Sequence, residues 1–154
     1  MTLHIRPAQA DDAQAISQLL QGQAHHFLLD PSQAATSPFL QTVSPAAITG
    51  YIASDFFDYC VGEIHGQLVG VVAVRDGSHL FHLFVGTAFQ RRGYAAYLWA
   101  HARQAAIAKG NTEGFTVNST PFALPVYQRF GFVATGPEVQ TRGIAYVPMR
   151  LAIE

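Results

Sequence analysis

Between Tyr59 and Val85 three apolar runs are separated by only two short turns, and that spacing leaves little choice of topology. Tyr59-Cys60-Val61-Gly62-Glu63-Ile64 reads as a strand, His65-Gly66-Gln67 as a turn, and Leu68 to Val74 as a second, more buried strand. Arg75-Asp76-Gly77-Ser78 is a hairpin-grade turn, since Asp-Gly accepts the positive φ that tight hairpins demand. Leu80-Phe81-His82-Leu83-Phe84-Val85 is then a third strand, nearly all apolar and therefore central. The middle of the chain is a β-meander.

The flanks supply helices. Leu3 to Ile5 alternates like a short strand that Pro7 ends, and Asp11 and Asp12 precede a helix over Ala13 to Gln21. Residues 30–45 are rich in Pro, Ser, Thr and Gln without strong periodicity and read as a connection. Ser44-Pro45 has the form of an N-cap followed by proline at the first helical position, opening a helix through Ile48, Tyr51 and Ile52. Tyr94 to Lys109 is a long alanine-rich helix that Gly110 stops. Phe115 to Val117 reads as a strand, Leu124 to Phe130 as a short helix, and Phe132 to Ala134 and Ile144 to Leu151 as two final strands. The predicted order is β-α-α-β-β-β-α-β-α-β-β, an α/β (α+β) arrangement in a single domain over residues 1–154.

Composition removes several functional classes. Nine Lys and Arg against ten Asp and Glu leave a net charge of -1, which excludes a polyanion-binding protein driven by bulk charge. Charged residues are 12% of the chain, about half the share usual in soluble domains. One cysteine, Cys60, excludes an intrachain disulfide and any CxxC site. No apolar run approaches the ~18–20 residues that would span a bilayer, so a soluble cytoplasmic protein is the default expectation. His79-x-x-His82 on a strand is a poor ligand pair, and no metal is expected.

Charge is concentrated where chemistry is expected. After Val85 comes Gly86-Thr87-Ala88-Phe89-Gln90-Arg91-Arg92-Gly93, a polar basic loop that turns straight into a helix. A helix N-terminus aims several unpaired N–H groups at one point where the dipole is positive, so it binds anions such as phosphates. Gly93 lets the backbone approach a bulky anion, and Arg91 and Arg92 add charge. Neither a GxGxxG after a strand nor a GxxxxGK[ST] is present, which argues against dinucleotides and nucleoside triphosphates. The bland alternative is a solvated helix start.

Two segments together carry a resemblance. Gln90-Arg91-Arg92-Gly93-Tyr94-Ala95 is similar to the Q/R-x-x-G-x-G/A pyrophosphate loop of the GNAT acetyltransferase superfamily, with Ala95 where glycine is commoner. Tyr127-x-x-x-Gly131-Phe132 resembles the tyrosine-to-GF segment of the same family, and the likeness extends along the whole chain. The resemblance implies a mixed, mostly antiparallel sheet of six to seven strands flanked by about four helices. It implies acetyl-CoA as co-substrate, with the pyrophosphate on the amides of Arg91, Arg92, Gly93, Tyr94, Ala95 and Ala96. The pantetheine arm would run as an added strand against Leu83, Phe84 and Val85, in reach of Asn118. Tyr127 would be the general acid near the coenzyme sulfur.

An acceptor amine must arrive unprotonated, attack the thioester carbonyl and expel a thiolate. A backbone N–H from the Phe84–Val85 stretch is placed to stabilise the oxyanion, and Tyr127 to serve the departing thiolate. For the general base the residues leave His82, Glu63, His79 and a water chain open. Residues 21–60 are expected to build the acceptor pocket, being rich in aromatics such as Phe27, Phe39 and Tyr51, with Asp55 and Asp58 as anchors for a cation. The leading expectation is an N-acetyltransferase acting on a primary amine of a small molecule. The alternatives are a non-catalytic acyl-CoA-binding module and an acyltransferase with another donor, a hydroxyl acceptor or a peptide N-terminus. The sparse surface charge adds the expectation of a homodimer.

Overall fold

The structure, a computed structural model, describes residues 2–30, 32 and 37–153. Among them eight strands form one open sheet. In chain order they are β1 (His4–Pro7), β2 (Phe57–Ile64), β3 (Gln67–Arg75), β4 (His79–Val85), β5 (Gly114–Ser119), β6 (Val133–Ala134), β7 (Val139–Thr141) and β8 (Ile144–Ala152). They lie in the order β1-β2-β3-β4-β5-β8-β6, and β7 pairs with β8 off that path. Only β4 and β5 run parallel; every other pairing is antiparallel. The flanking helices are α1 (Ala13–Gln21), α2 (Pro38–Thr42), α3 (Pro45–Ala53), α4 (Tyr94–Ala108) and α5 (Leu124–Arg129). The mixed architecture is the expected one, with two additions, α2 and β7, in segments that read as connections. No helix among the described residues is long and apolar enough to cross a membrane.

Each face of the sheet carries its own core. On one face α4 lays Leu98, Ala102 and Ala106, a stripe at four-residue spacing, against Val72, Val74, Leu80 and Phe115. Gly70 permits the close approach: a Cβ there would sit 2.6 Å from the Phe84 carbonyl oxygen and 2.9 Å from Leu98. On the other face α1 and α3 bury Ile16, Leu20 and Ile48 against Tyr59, Val61, Val71 and Ala73. Both α2 and α3 are capped as their Ser-Pro pairs demand. Ser37 Oγ accepts from Phe39 N at 3.2 Å, and Ser44 Oγ accepts from Ala47 N at 3.1 Å.

Arg6 fastens the chain's start to the sheet. Its Nε donates to Glu63 Oε1 at 2.8 Å and its Nη1 to Asp12 Oδ2 at 2.8 Å, joining β1, the 3-10 turn Ala10–Asp12 and β2. Hydrogen bonding from this guanidinium holds the Asp12 carboxyl below the usual range. A depressed carboxyl contributes stability above its unfolded pKa of about 4, and the contribution vanishes as pH falls through the folded value. Asp12→Asn should therefore cost about 1 kcal/mol at neutral pH. In urea unfolding the gap between the two proteins should close on acidification below about pH 4.

Candidate functional site

The site originates where β4 and β5 part. They pair only at His79↔Thr116 and Leu80↔Val117. Beyond that point β4 follows β3 while β5 stays with β8 as far as Ser119↔Val147. An extra residue in β4 strengthens the divergence. Val74 pairs with Leu80 and Ala73 with His82, so Phe81 bulges between them. The Gly86 amide donates to Val69 O at 2.8 Å, toward β3. By the alternation of an antiparallel ladder, the backbone groups of Val85 and Leu83 then point the other way, into the split.

At the head of the split sits the basic loop. A 3-10 turn, Thr87–Phe89, leads to Gln90, whose side chain turns inward. Gln90 Nε2 donates to Val85 O at 3.0 Å and to Gln23 Oε1 at 3.1 Å, while Gln23 Nε2 donates to Thr87 Oγ1 at 3.0 Å. Gln90, placed by sequence among the coenzyme contacts, thus uses its side chain to brace the loop. Arg91 has φ 64° and Gly93 φ 82°, two left-handed residues that swing the chain into α4. No side chain caps α4 and its first turn holds no acid, so the amides of Tyr94, Ala95 and Ala96 stay open. Arg91 and Arg92 are exposed beside them.

A groove of about 740 Å³ runs from this loop along the α4 face, between Leu83 and Val85 on one wall and Val126, Tyr127 and Phe130 on the other. Through the split, a narrow gap lined by Leu80, Leu83, Val117, Asn118 and Tyr127 opens toward the opposite face. There a second cavity of about 400 Å³ is walled by Phe27, Phe39, Tyr51, Phe81, His82 and Phe84. Tyr127 lines both the groove and the gap. Its ring packs with Phe132 and Phe130, at centroid separations of 5.7 and 6.2 Å. Burial raises its hydroxyl above the ordinary tyrosine value.

The candidate bases are not gathered around Tyr127. Glu63 stands on β2, held by Arg6, and lines neither cavity. The physical reason is a pairing between residues 57 positions apart, which draws the carboxylate to the edge at β1. Glu63→Gln should cost about 1 kcal/mol in unfolding free energy and leave turnover within about twofold of wild type; a loss comparable to removing a general base would contradict this placement. His82 is buried, its Nδ1 2.8 Å from the Tyr59 hydroxyl. Burial pushes its pKa down to about 3, which keeps the ring neutral and makes it a feeble acceptor for an ammonium proton. His79 lies at the second cavity with Nδ1 2.7 Å from Thr116 Oγ1, and burial lowers its pKa as well.

The supposed cation anchors are also elsewhere. Asp58 accepts from Lys109 Nζ at 3.1 Å, and neither Asp55 nor Asp58 lines a cavity at the split. Burial and the Asp58 charge push the Cys60 thiol up to about 11, which makes it a poor nucleophile. The sequence reading missed Gln23, which braces the loop, and Phe122, which stacks on His26 at 3.7 Å between centroids. It missed Arg75 and Arg142 too, which line the second cavity from hairpin tips. Their Arg-Asp-Gly and Arg-Gly turns were visible signals, but which cavity a tip overhangs is a tertiary property.

An open mixed sheet split between parallel β4 and β5, with an uncapped helix N-terminus at the split, is the frame of an acyl-CoA N-acyltransferase. The family model described as an acetyltransferase (GNAT) domain matches residues 27–153, and the chain belongs to that family. Among solved structures it is similar to a GCN5-related N-acetyltransferase from Rhodopseudomonas palustris. The TM-score is 0.84 at 18% identity, covering 99% of this chain and 97% of that one. It is also similar to yncA from Salmonella typhimurium, solved with its cofactor acetyl-CoA, with a TM-score of 0.73, 17% identity, and coverage of 100% and 95%. A third likeness is to spermidine N-acetyltransferase from Vibrio cholerae in complex with CoA and spermine. There the TM-score is 0.68 at 16% identity, covering 97% of this chain and 95% of that one. Identities this low speak for the fold alone. No curated protein matches the chain in sequence.

Proposed function

We propose that this protein transfers the acetyl group of acetyl-CoA to a primary amine of a small molecule. The observation that carries the reading is the split between β4 and β5, with the open amides of α4 at one end and Tyr127 lining both the groove and the gap. In this reading the pyrophosphate sits on the amides of Tyr94 to Ala96, with Arg91 and Arg92 screening its charge. The pantetheine arm lies along β4 and hydrogen-bonds Leu83 and Val85, with Asn118 across the split.

The reaction follows from that placement. The neutral amine enters from the aromatic cavity and its lone pair attacks the thioester carbonyl carbon, forming the C–N bond. The Val85 N–H stabilises the oxyanion. Collapse breaks the C–S bond, and the sulfur takes up a hydrogen bond from Tyr127. Because burial keeps the phenol protonated and the thiolate is the weaker base, Tyr127 acts first as a donor to the charge growing on sulfur. The nitrogen's surplus proton leaves to solvent through the open cavity, without Glu63. Holding both reactants across one split supplies much of the acceleration.

The test is thiol release from acetyl-CoA across a panel of amines, with calorimetry for coenzyme binding. Turnover on at least one amine supports the transferase; tight coenzyme binding without turnover on any acceptor supports a binding module. Homodimer formation is part of the proposal, suggested by the exposed Phe56, Tyr97 and Val133. A monomeric mass by light scattering at tens of micromolar would remove it.

A further inference from the structure

We infer that the acceptor is an apolar or aromatic amine of the amino-acid type, whose carboxylate is held by Arg75 and Arg142 in the β4-side aromatic cavity. This rests on the transferase reading above and specifies its second substrate. The chain has ten Asp and Glu, and among the described residues none lines the groove, the gap or the aromatic cavity. Of the described carboxylates that the structure pairs, Asp12 and Glu63 are engaged with Arg6 and Asp58 with Lys109, and only Asp76 reaches a cavity arginine, Arg75, from the exposed rim. An acceptor with several ammonium groups would therefore find no counter-charge in this cavity and would face two guanidiniums.

The two arginines are set for an anion. Arg75 ends β3 and rests its guanidinium 5.6 Å from the centre of the Phe81 ring, which forms the cavity wall. Among the described residues its one ion pair is with Asp76, at 3.7 Å from Nε and well exposed, a contact too long and too wet to occupy the whole fork. Arg142 stands at the tip between β7 and β8, with φ 51° and no ion pair among the described residues. A carboxylate between them gains charge-assisted hydrogen bonds. The remaining wall is aromatic, from Phe27, Phe39, Tyr51 and Phe84, and suits an apolar side chain in a cavity of about 400 Å³.

Matched acceptors test this. Coenzyme binding is first measured by calorimetry, then thiol release is followed with phenylalanine against phenethylamine and leucine against isoamylamine. Spermidine and phosphoethanolamine complete the panel. The carboxylate-bearing member of each pair should have a kcat/KM at least about tenfold higher. Arg142→Gln and Arg75→Gln should each raise the KM of the amino acid about tenfold or more while leaving the decarboxylated partner nearly unaffected. Both changes lie at hairpin ends, and thermal melts verify folding. Coenzyme binding with phenethylamine or spermidine equal to or better than phenylalanine overturns the inference and leaves the transferase standing. Preference for phosphoethanolamine, or no turnover of either amino acid by the coenzyme-binding protein, also overturns it. Absence of coenzyme binding removes the transferase reading, and this inference with it.

Discussion

Tyr127→Phe should lower kcat about 10- to 1,000-fold while the affinity for acetyl-CoA stays close to wild type. The substitution removes one oxygen from a ring whose packing against Phe130 and Phe132 is left intact, so the buried core beneath α5 is undisturbed. What remains is the interaction with the sulfur, realised only as the thioester bond breaks. An effect on that interaction belongs in kcat and not in coenzyme binding. Wild-type turnover in the variant would take Tyr127 out of the mechanism.

Gly93→Val should weaken coenzyme binding about tenfold or more and leave the fold in place. In the structure a Cβ at Gly93 meets nothing within 4 Å, so the cost comes from the backbone and not from crowding. At φ 82° a β-branched residue is strained by about 1–2 kcal/mol or more. The chain relieves that strain by rotating the peptide ahead of Tyr94, which turns the first amides of α4 away from their common point. Calorimetry with coenzyme A measures the loss, and circular dichroism verifies the sheet. A folded valine variant with wild-type affinity would show that the phosphates do not rest on this helix start.

The central meander was legible because its signals are local: alternating apolar residues and turns with Asp-Gly and His-Gly. The loop at Gln90–Gly93 was legible for the same reason, as a run of special residues between a strand and a helix. Ser37-Pro38 carried the signal used correctly at Ser44-Pro45, yet α2 has only five residues and no apolar period to support it. β7 is three residues long and exists by pairing with β8 across the Arg142-Gly143 turn. Burial of His82 depends on the bulge at Phe81, and the capture of Glu63 depends on an arginine in β1. Both are properties of register between distant segments. The same holds for the acid-free acceptor cavity: Asp58 adjoins the aromatics in sequence, but in space it turns to Lys109 at the C-terminal end of α4.

The central claim is the location of the coenzyme, and a crystal structure with acetyl-CoA bound tests it most directly. The pyrophosphate oxygens should lie about 3 Å from the amides of Tyr94, Ala95 and Ala96. The thioester sulfur should stand within hydrogen-bond reach of the Tyr127 hydroxyl, with the acetyl group directed through the split toward Phe81 and Asn118. Coenzyme bound away from the β4–β5 split, or with its sulfur out of reach of Tyr127, would contradict the account.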